Sequence, residues 1–415
     1  MAYKALFRNF NFLKLWGAQI ASQLAANLLN FALIIRVFDL AAGTSYQNIS
    51  VSLLIAAFGV PSILFAAFAG SVIDHLDRKK VLVATNFVRA VLVLFFLVFE
   101  TNVIFVYLTI FAISTFTQFF VPAEAAALPA LVEKDDLVQA NSMFIFTLYA
   151  SFMVGYSLAG PVVSSFGPNG AYWVTAGAFL FAGLLSLGLP TMRASDKTRP
   201  AWKKLLMDVS KQLGQSLRET VRNKNHFFPI LQLTIAQATV GVVIVLAPAL
   251  SQTILGQKLS ETSHILVIPA GVGMVIGAVL VGQFMQGVDK YRLIKIGVIL
   301  GGLMLVSLGL VKKYTTPSDI AIVAAIVIFI LGFVNALVSI SSQTILQLNT
   351  TDDIRGKVFG ALNMMVNIAA VVPVLLAGIT ADLISPTTVL VYAGGIILFY
   401  GLVLKHPSKL ATKKA

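Results

Sequence analysis

Four carboxamide side chains recur on one face of an apolar stretch near the start of the chain. Gln19, Gln23, Asn27 and Asn30 are spaced four, four and three residues apart, which places them along one side of an α-helix. A carboxamide is uncharged and both donates and accepts hydrogen bonds, so such a face can bind a polar ligand. It can equally join packed helices, and this alternative stays open.

Further amides and one hydroxyl occur in later apolar stretches. Asn335, Ser339 and Gln343 again recur every four residues. The others are Gln118, Gln232, Gln237, Asn363 and Asn367. Together these side chains predict a substrate cavity that is polar but uncharged, again with helix packing as the alternative.

The composition indicates what kind of element carries these side chains. Hydrophobic residues make up 58% of the 415 residues and charged residues 11%, against about 25% charged in soluble domains. With a mean hydropathy of +0.89, the chain must be an integral membrane protein. It has no cysteine and its four histidines lie far apart, so no metal ion or other cofactor is expected.

A helix that crosses a bilayer needs about 20 mostly apolar residues. The sequence predicts an all-α membrane protein with twelve such spans, at 15–38, 49–69, 80–99, 103–122, 139–165, 171–190, 229–255, 262–286, 293–311, 318–346, 358–384 and 386–404. Two acidic motifs recur about 215 residues later in the chain. Asp135-Asp136 corresponds to Asp352-Asp353, and Asp74 corresponds to Asp289. The repeat predicts two pseudo-symmetric six-helix bundles.

The predicted domains are a first bundle at 1–190, a linker at 191–228, a second bundle at 229–404 and a basic tail at 405–415. The linker has the periodicity of a basic amphipathic helix on the membrane surface. We expect it to connect the bundles, and a regulatory role is the alternative.

Lysine and arginine residues concentrate in alternate connections. Most of the 30 basic residues fall on one side if the N-terminus is cytoplasmic. This distribution predicts a cell-membrane protein with both termini in the cytoplasm. The net charge of +13 is therefore explained by topology, and nucleic acid is not expected as a partner.

Few ionisable groups lie inside the predicted spans. Arg89 lies about ten residues into the third span, and a buried arginine without a partner is unfavourable. We expect it to pair with Asp74 or Glu124, either structurally or in gating and coupling. If a proton drives transport, these two acids are the candidates, because no acid lies at the middle of a predicted span.

The connection after the second span carries a motif, Gly70-Ser-Val-Ile-Asp74-His-Leu-Asp77-Arg78-Lys79-Lys80. A glycine there allows two helices to approach closely, and the basic residues anchor the loop at the membrane surface. The motif resembles the signature loop of the major facilitator superfamily, although the family usually has glycine where Asp77 stands. The resemblance implies that Asp74 latches the two halves by contacting the eleventh helix.

Two further stretches resemble the same superfamily. Gly155-Tyr-Ser-Leu-Ala-Gly160-Pro161 is similar to its antiporter motif, and glycines there allow close packing while the proline bends the helix. The segment from Pro122 through Asn141 resembles a branch of macrolide-efflux-like, enterobactin-exporter-like and lysophospholipid-transporter-like proteins. In the superfamily fold, helices one, four, seven and ten line the central cavity.

These observations favour a secondary transporter that exports a small amphipathic compound, such as a drug, macrolide or siderophore, by alternating access. Its expected partners are the lipid bilayer, the substrate and a proton or other ion if transport is coupled; we expect a monomer. A lysophospholipid transporter is the first alternative and a non-transporting receptor or scaffold the second. No catalytic constellation or phosphate-binding loop is present, which disfavours an enzyme or an ATP-driven pump.

Overall fold

The computed structural model describes residues 4–73, 75–192, 222–283, 288–349 and 355–404. Two compact units make up the chain. The first comprises Met1–Leu40 and Leu53–Gln212, and the second Ala41–Ser52 and Leu213–Ala415. Within the described ranges every regular element is a helix.

The helices before the predicted linker are α1 (Lys4–Arg8), α2 (Phe10–Leu40), α3 (Gln47–Ile73), α4 (Arg78–Leu94), α5 (Phe96–Phe99), α6 (Val103–Leu131) and α7 (Leu137–Leu187). A 3₁₀ turn, Lys134–Asp136, precedes α7. The later helices are α8 (Lys224–Leu250), α9 (Leu259–Gln283), α10 (Lys290–Tyr314), α11 (Ile320–Leu348), α12 (Arg355–Leu383) and α13 (Pro386–Val403). A π-helical turn, Ser251–Leu255, follows α8.

Eleven helices in the described ranges are long and apolar enough to cross a membrane. One of them, Gln139–Leu187, has 49 residues and as one straight helix would be about 74 Å long, more than twice the ~30 Å bilayer core. Gly167 divides it, with φ 68° and ψ 177°. Because only glycine adopts this conformation without strain, Gly167 separates the two stretches predicted as spans five and six.

The sequence placed the end of the fourth span wrongly. The span was expected to stop at Pro122, yet α6 continues through Pro122 and Pro129 to Leu131. Proline is tolerated in membrane helices because neighbouring groups satisfy the freed carbonyls. As a consequence, Glu124 lies inside a helix and not in a connection.

The third predicted span comprises α4 and α5, which join at Phe95 and form one apolar stretch, Arg78–Phe99. One further boundary differs from the prediction. α8 starts at Lys224, so the last residues assigned to the linker belong to a helix. Most of the linker (193–221), Asp74 and the tail at 405–415 lie outside the described residues.

In the first unit, α2 packs closely against α7. A Cβ on Gly155 would lie 2.6 Å from Cβ of Asn27 and 3.2 Å from the backbone nitrogen of Leu28. The helices can approach this closely only because Gly155 has no side chain. This contact fixes the position of the amide stripe on α2 relative to α7.

A buried apolar cluster lies towards the start of α2. It includes Phe12 of α2, Leu82 of α4, Phe120 and Ala127 of α6 and Phe144 of α7. Burial of these side chains holds the charged groups of α4 and α6 in fixed positions.

In the second unit, α10 and α13 cross at a pair of glycines. A Cβ on Gly302 would lie 2.5 Å from the backbone nitrogen of Leu398 and 2.8 Å from the carbonyl oxygen of Gly394. The first turn of α3, which belongs to this unit, is held by Asp382 near the end of α12. The Asp382 carboxylate accepts hydrogen bonds from the backbone nitrogens of Asn48 and Ile49, both at 2.9 Å.

Candidate substrate and ion sites

The amide stripe of α2 divides into packed and unpaired side chains. Gln19 is 3% exposed, and its Nε2 donates to the carbonyl oxygen of Phe144 on α7 at 3.2 Å. Asn27 Nδ2 donates to the carbonyl oxygen of Gln23 at 2.9 Å, within α2. The side chains of Gln23 and Asn30 are half-buried and make no hydrogen bond with the described residues. These two amides are therefore free to bind a ligand.

Three of the other candidate amides are engaged within their own unit. Gln232 is fully buried and its Nε2 donates to the hydroxyl of Tyr400 at 2.6 Å. Asn335 Nδ2 donates to the carbonyl oxygen of Ala236 at 3.2 Å. Gln118 Nε2 donates to the carbonyl oxygen of Ser114 at 3.2 Å, within α6. Gln232 and Asn335 thus join helices of the second unit.

The remaining candidates are available to a ligand or lie outside the description. Within the described ranges, no side-chain hydrogen bond forms at Gln237, Ser339, Gln343 or Asn367, and Gln237 and Gln343 are exposed. The side chain of Asn363 lies outside the described residues. The cavity-lining role stays a prediction for all of these residues.

Arg89 on α4 is 1% exposed, and its partners differ from those expected. The predicted ion pair with Glu124 does not form, since no described carboxylate lies within 4.0 Å of the guanidinium. Arg89 Nη2 instead donates to Asn86 Oδ1 at 2.7 Å. The guanidinium carbon lies 4.4 Å from the ring centre of Phe120 and 4.6 Å from that of Phe179. Two aromatic faces and one amide thus stabilise the buried cation.

Glu124 on α6 is the buried acid of this region, 6% exposed. Its Oε1 is buried and has no hydrogen-bond partner in the described part of the chain. Phe120, which lies one helical turn earlier on α6, covers Arg89. The carboxyl group therefore lies near the guanidinium without contacting it.

The signature loop has a different geometry from the one expected. No described atom lies within 4 Å of a Cβ built on Gly70, so a role of this glycine in close helix approach stays a prediction. Asp77 is the N-cap of α4, and its Oδ1 accepts from the backbone nitrogens of Lys79 at 3.0 Å and Met192 at 3.2 Å. The backbone nitrogen of Arg78 donates to the carbonyl oxygen of Met192 at 3.2 Å. The loop is thereby attached to the end of the first unit.

The glycine-proline motif lies within α7. Gly155 and Gly160 are buried, Pro161 is exposed, and the helix continues through Pro161. Gly155 packs against the Asn27 segment of α2. A role for Gly160 and Pro161 in antiport stays a prediction.

Sequence reasoning missed three residues that contact Arg89, namely Asn86, Phe120 and Phe179, and the role of Asp77 as an N-cap. Asn86 lies three residues before Arg89, and this helical spacing could have revealed it. Phe179 contributes from a distant part of the chain, and no local pattern identifies it. The N-cap role of Asp77 could have been read from its position just before a basic helix start.

Long apolar helices that carry unpaired amides and a buried arginine and glutamate define a multi-pass membrane transport protein. The family model of the Major Facilitator Superfamily matches residues 15–373, and the chain belongs to this superfamily. Both the predicted superfamily and the prediction of a transporter rather than an enzyme are thereby confirmed.

Two curated relatives are similar over almost the full length. The uncharacterized MFS-type transporter YfiS of Bacillus subtilis (strain 168) is 24% identical over 99% of this chain and 96% of its own. Macrolide efflux protein A of Streptococcus pyogenes is 21% identical over 94% of each chain. The resemblance to macrolide-efflux proteins is confirmed by this relative.

A crystal structure of the POT family transporter PepTSo is similar in fold. It superimposes with a TM-score of 0.75 at 13% identity, covering 95% of this chain and 97% of that chain. At this identity the likeness shows the fold alone.

Proposed function

We propose that this protein exports a small amphipathic compound across the cell membrane by alternating access. Macrolide efflux protein A, which matches nearly the whole chain, supports export as the direction and a macrolide-like compound as the substrate class. In this proposal Gln23 and Asn30 hydrogen-bond the polar part of the substrate.

One observation carries the proposal: the unpaired amides near the middle of α2. Gln23 and Asn30 lie well inside a helix of 31 residues. An amide without a partner is unfavourable in lipid, so such groups face water or a ligand.

The proposed topology has twelve spans, because Gly167 divides α7 into two. An even number of spans places both termini on the same side, and the distribution of basic residues favours the cytoplasm. The chain contains no cysteine, so single cysteines report their side of the membrane unambiguously. Lys80 and Lys312 are exposed residues of opposite predicted sides. We expect an impermeant maleimide to label Lys312→Cys in intact cells and Lys80→Cys only after permeabilisation.

Transport is tested with purified protein in proteoliposomes and radiolabelled erythromycin. We expect Gln23→Leu and Asn30→Leu each to raise the half-saturating concentration about 5- to 10-fold, the effect of one lost hydrogen bond. Asn11→Leu is the matched control, because this amide lies on α2 outside the stripe. It should leave the half-saturating concentration unchanged.

The same vesicles distinguish export of a soluble compound from lipid transport. Wild-type protein that moves labelled lysophosphatidylethanolamine but no erythromycin would overturn the proposed substrate class. An equal effect of Asn11→Leu and Gln23→Leu would remove the amide stripe from substrate binding.

A further inference from the structure

Glu124 is a carboxyl group without a partner in the interior of the first unit. It lies in α6, seven residues before the end of that helix at Leu131, and is 6% exposed. Within the described residues its carboxyl group makes no hydrogen bond and no ion pair, and its Oε1 is buried. Its neighbours on the same helix face include Phe120, Ala127 and Leu128, all buried and apolar.

The elements around α6 offer one charge that acts on this carboxyl group. Titratable or charged residues on the helices packed against it are Lys14, Arg36 and Asp39 on α2, Arg78, Lys79, Lys80 and Arg89 on α4, and Tyr149, Tyr156 and Tyr172 on α7; α3 and α5 have none. Of these, Arg89 lies beside Glu124, because its guanidinium contacts the ring of Phe120 one helical turn earlier on α6.

Arg89 has partners other than Glu124. Its Nη2 and Nε donate to Asn86 Oδ1 at 2.7 Å and to the carbonyl oxygen of Thr85 at 3.2 Å. Its remaining surface is covered by the rings of Phe120 and Phe179. Arg89 thus contacts Phe120 but not Glu124, although Glu124 lies only one helical turn after Phe120 on α6.

This arrangement suits a neutral acid. A buried carboxylate without hydrogen bonds is strongly unfavourable, and binding a proton removes its charge. A carboxylate would instead attract the guanidinium, since a close, charge-assisted pair compensates the burial of both charges. The carboxyl group and the arginine therefore have two mutually exclusive arrangements.

We propose that Glu124 is a proton-binding site of the transport cycle, occupied in the arrangement described here and emptied when Arg89 exchanges Asn86 for the carboxylate. The step is simple: the carboxylate takes one proton from water to form the acid, and later returns it to water as the ion pair forms. The inference rests on the proposed transport function, because it assigns the coupling ion to that same protein.

Protonation of Glu124 can be observed without any substrate. The chain has five glutamates, Glu100, Glu124, Glu133, Glu219 and Glu261. Protein labelled with ¹³C at the glutamate side-chain carboxyl therefore gives at most five resonances, and Glu124→Gln identifies one of them. We expect that resonance to titrate with pH in the wild type and to titrate at a different midpoint in Arg89→Lys. A midpoint unaffected by Arg89→Lys would overturn the exchange of partners.

Coupling is measured in proteoliposomes that contain the pH dye pyranine. Erythromycin should cause proton flux through the wild type, and Glu124→Gln should abolish that flux while retaining exchange of labelled erythromycin across the membrane. Glu133→Gln is the control, because Glu133 is exposed just beyond the end of α6. It should retain both proton flux and exchange.

The outcomes separate the two proposals. Proton flux that persists in Glu124→Gln would overturn the proton site while leaving export intact. Absence of erythromycin exchange in the wild type would overturn the proposed function, and the carboxyl titration would still decide whether Glu124 binds a proton. If Glu124→Gln fails to fold, a wild type that exchanges erythromycin without proton flux would overturn the proton site.

Discussion

Asp382 holds the first turn of α3, and its replacement should loosen that turn selectively. Its Oδ1 accepts from the backbone nitrogen of Asn48 at 2.9 Å and from Asn48 Nδ2 at 2.7 Å, and its Oδ2 accepts from the backbone nitrogen of Ile49 at 2.9 Å. These two backbone donors belong to the first turn of α3, whose N–H groups have no partner within the helix. Asp382 therefore acts as an N-cap supplied by a different helix.

The magnitude follows from the bonds that are lost. An N-cap replaced by alanine destabilises a helix by about 1 kcal/mol, and hydrogen bonds to a charged group contribute about 1.5–3 kcal/mol. The acid also lies next to the last residue of α12, where a negative charge opposes the helix dipole by about 0.3–1 kcal/mol. We expect Asp382→Ala to lower the free energy of opening of this turn by about 3 kcal/mol.

Hydrogen exchange of residues 47–52 measures this free energy locally. A change of about 3 kcal/mol corresponds to roughly 100-fold faster exchange, and Asp382→Asn, which retains one acceptor oxygen, should give about 10-fold. Asp319→Ala is the control, since Asp319 is an exposed N-cap of α11 without a side-chain cap hydrogen bond. Exchange at 47–52 that is the same in Asp382→Ala and wild type would refute the cap.

Two further substitutions test the packing inside each unit. Gly302→Ala should destabilise the protein by about 1–3 kcal/mol in a thermal unfolding assay, because its Cβ would lie 2.5 Å from the backbone nitrogen of Leu398. Gly395→Ala should leave stability unchanged or raise it by up to about 1 kcal/mol, because no described atom lies within 4 Å of its added Cβ and alanine favours a helix. A change in stability of the same sign in both variants would contradict this packing. Arg89→Lys should lower stability by about 1–3 kcal/mol, because a lysine cannot both donate to Asn86 and lie flat between two rings. An unfolding temperature equal to that of the wild type would show that the aromatic contacts of Arg89 do not stabilise the fold.

Hydropathy predicted the existence of the long helices, because twenty apolar residues have few other stable arrangements. It did not predict their ends. Pro122 looks like a boundary in a local pattern, but neighbouring helices stabilise a helix that continues to Leu131. Gly167 lies between the stretches predicted as spans five and six, and its backbone conformation interrupts the helix there.

The candidate site was predictable in its residue types and only partly in its partners. Gln19 and Gln23 lie four residues apart on the same face of α2. Gln19 donates to the carbonyl oxygen of Phe144, yet the side chain of Gln23 has no described partner. That difference arises from the neighbouring helix, which periodicity in one segment does not describe. Likewise, the sequence predicted an ion pair for Arg89. The rings that contact it instead, Phe120 and Phe179, come from two other helices, so no local pattern around Arg89 predicts them.

The predicted internal repeat does not extend to the buried charges. Among the described residues, the buried arginine and the buried glutamate both belong to the first unit. In the second unit the buried polar side chains of the helices are amides, hydroxyls and His226, whose ring bonds the carbonyl oxygen of Asn349 at 3.0 Å. Among the described residues, the buried groups of opposite charge therefore lie on α4 and α6. If a proton drives transport, we expect the first unit to bind it, and substitutions of the buried amides of the second unit should leave proton binding unchanged.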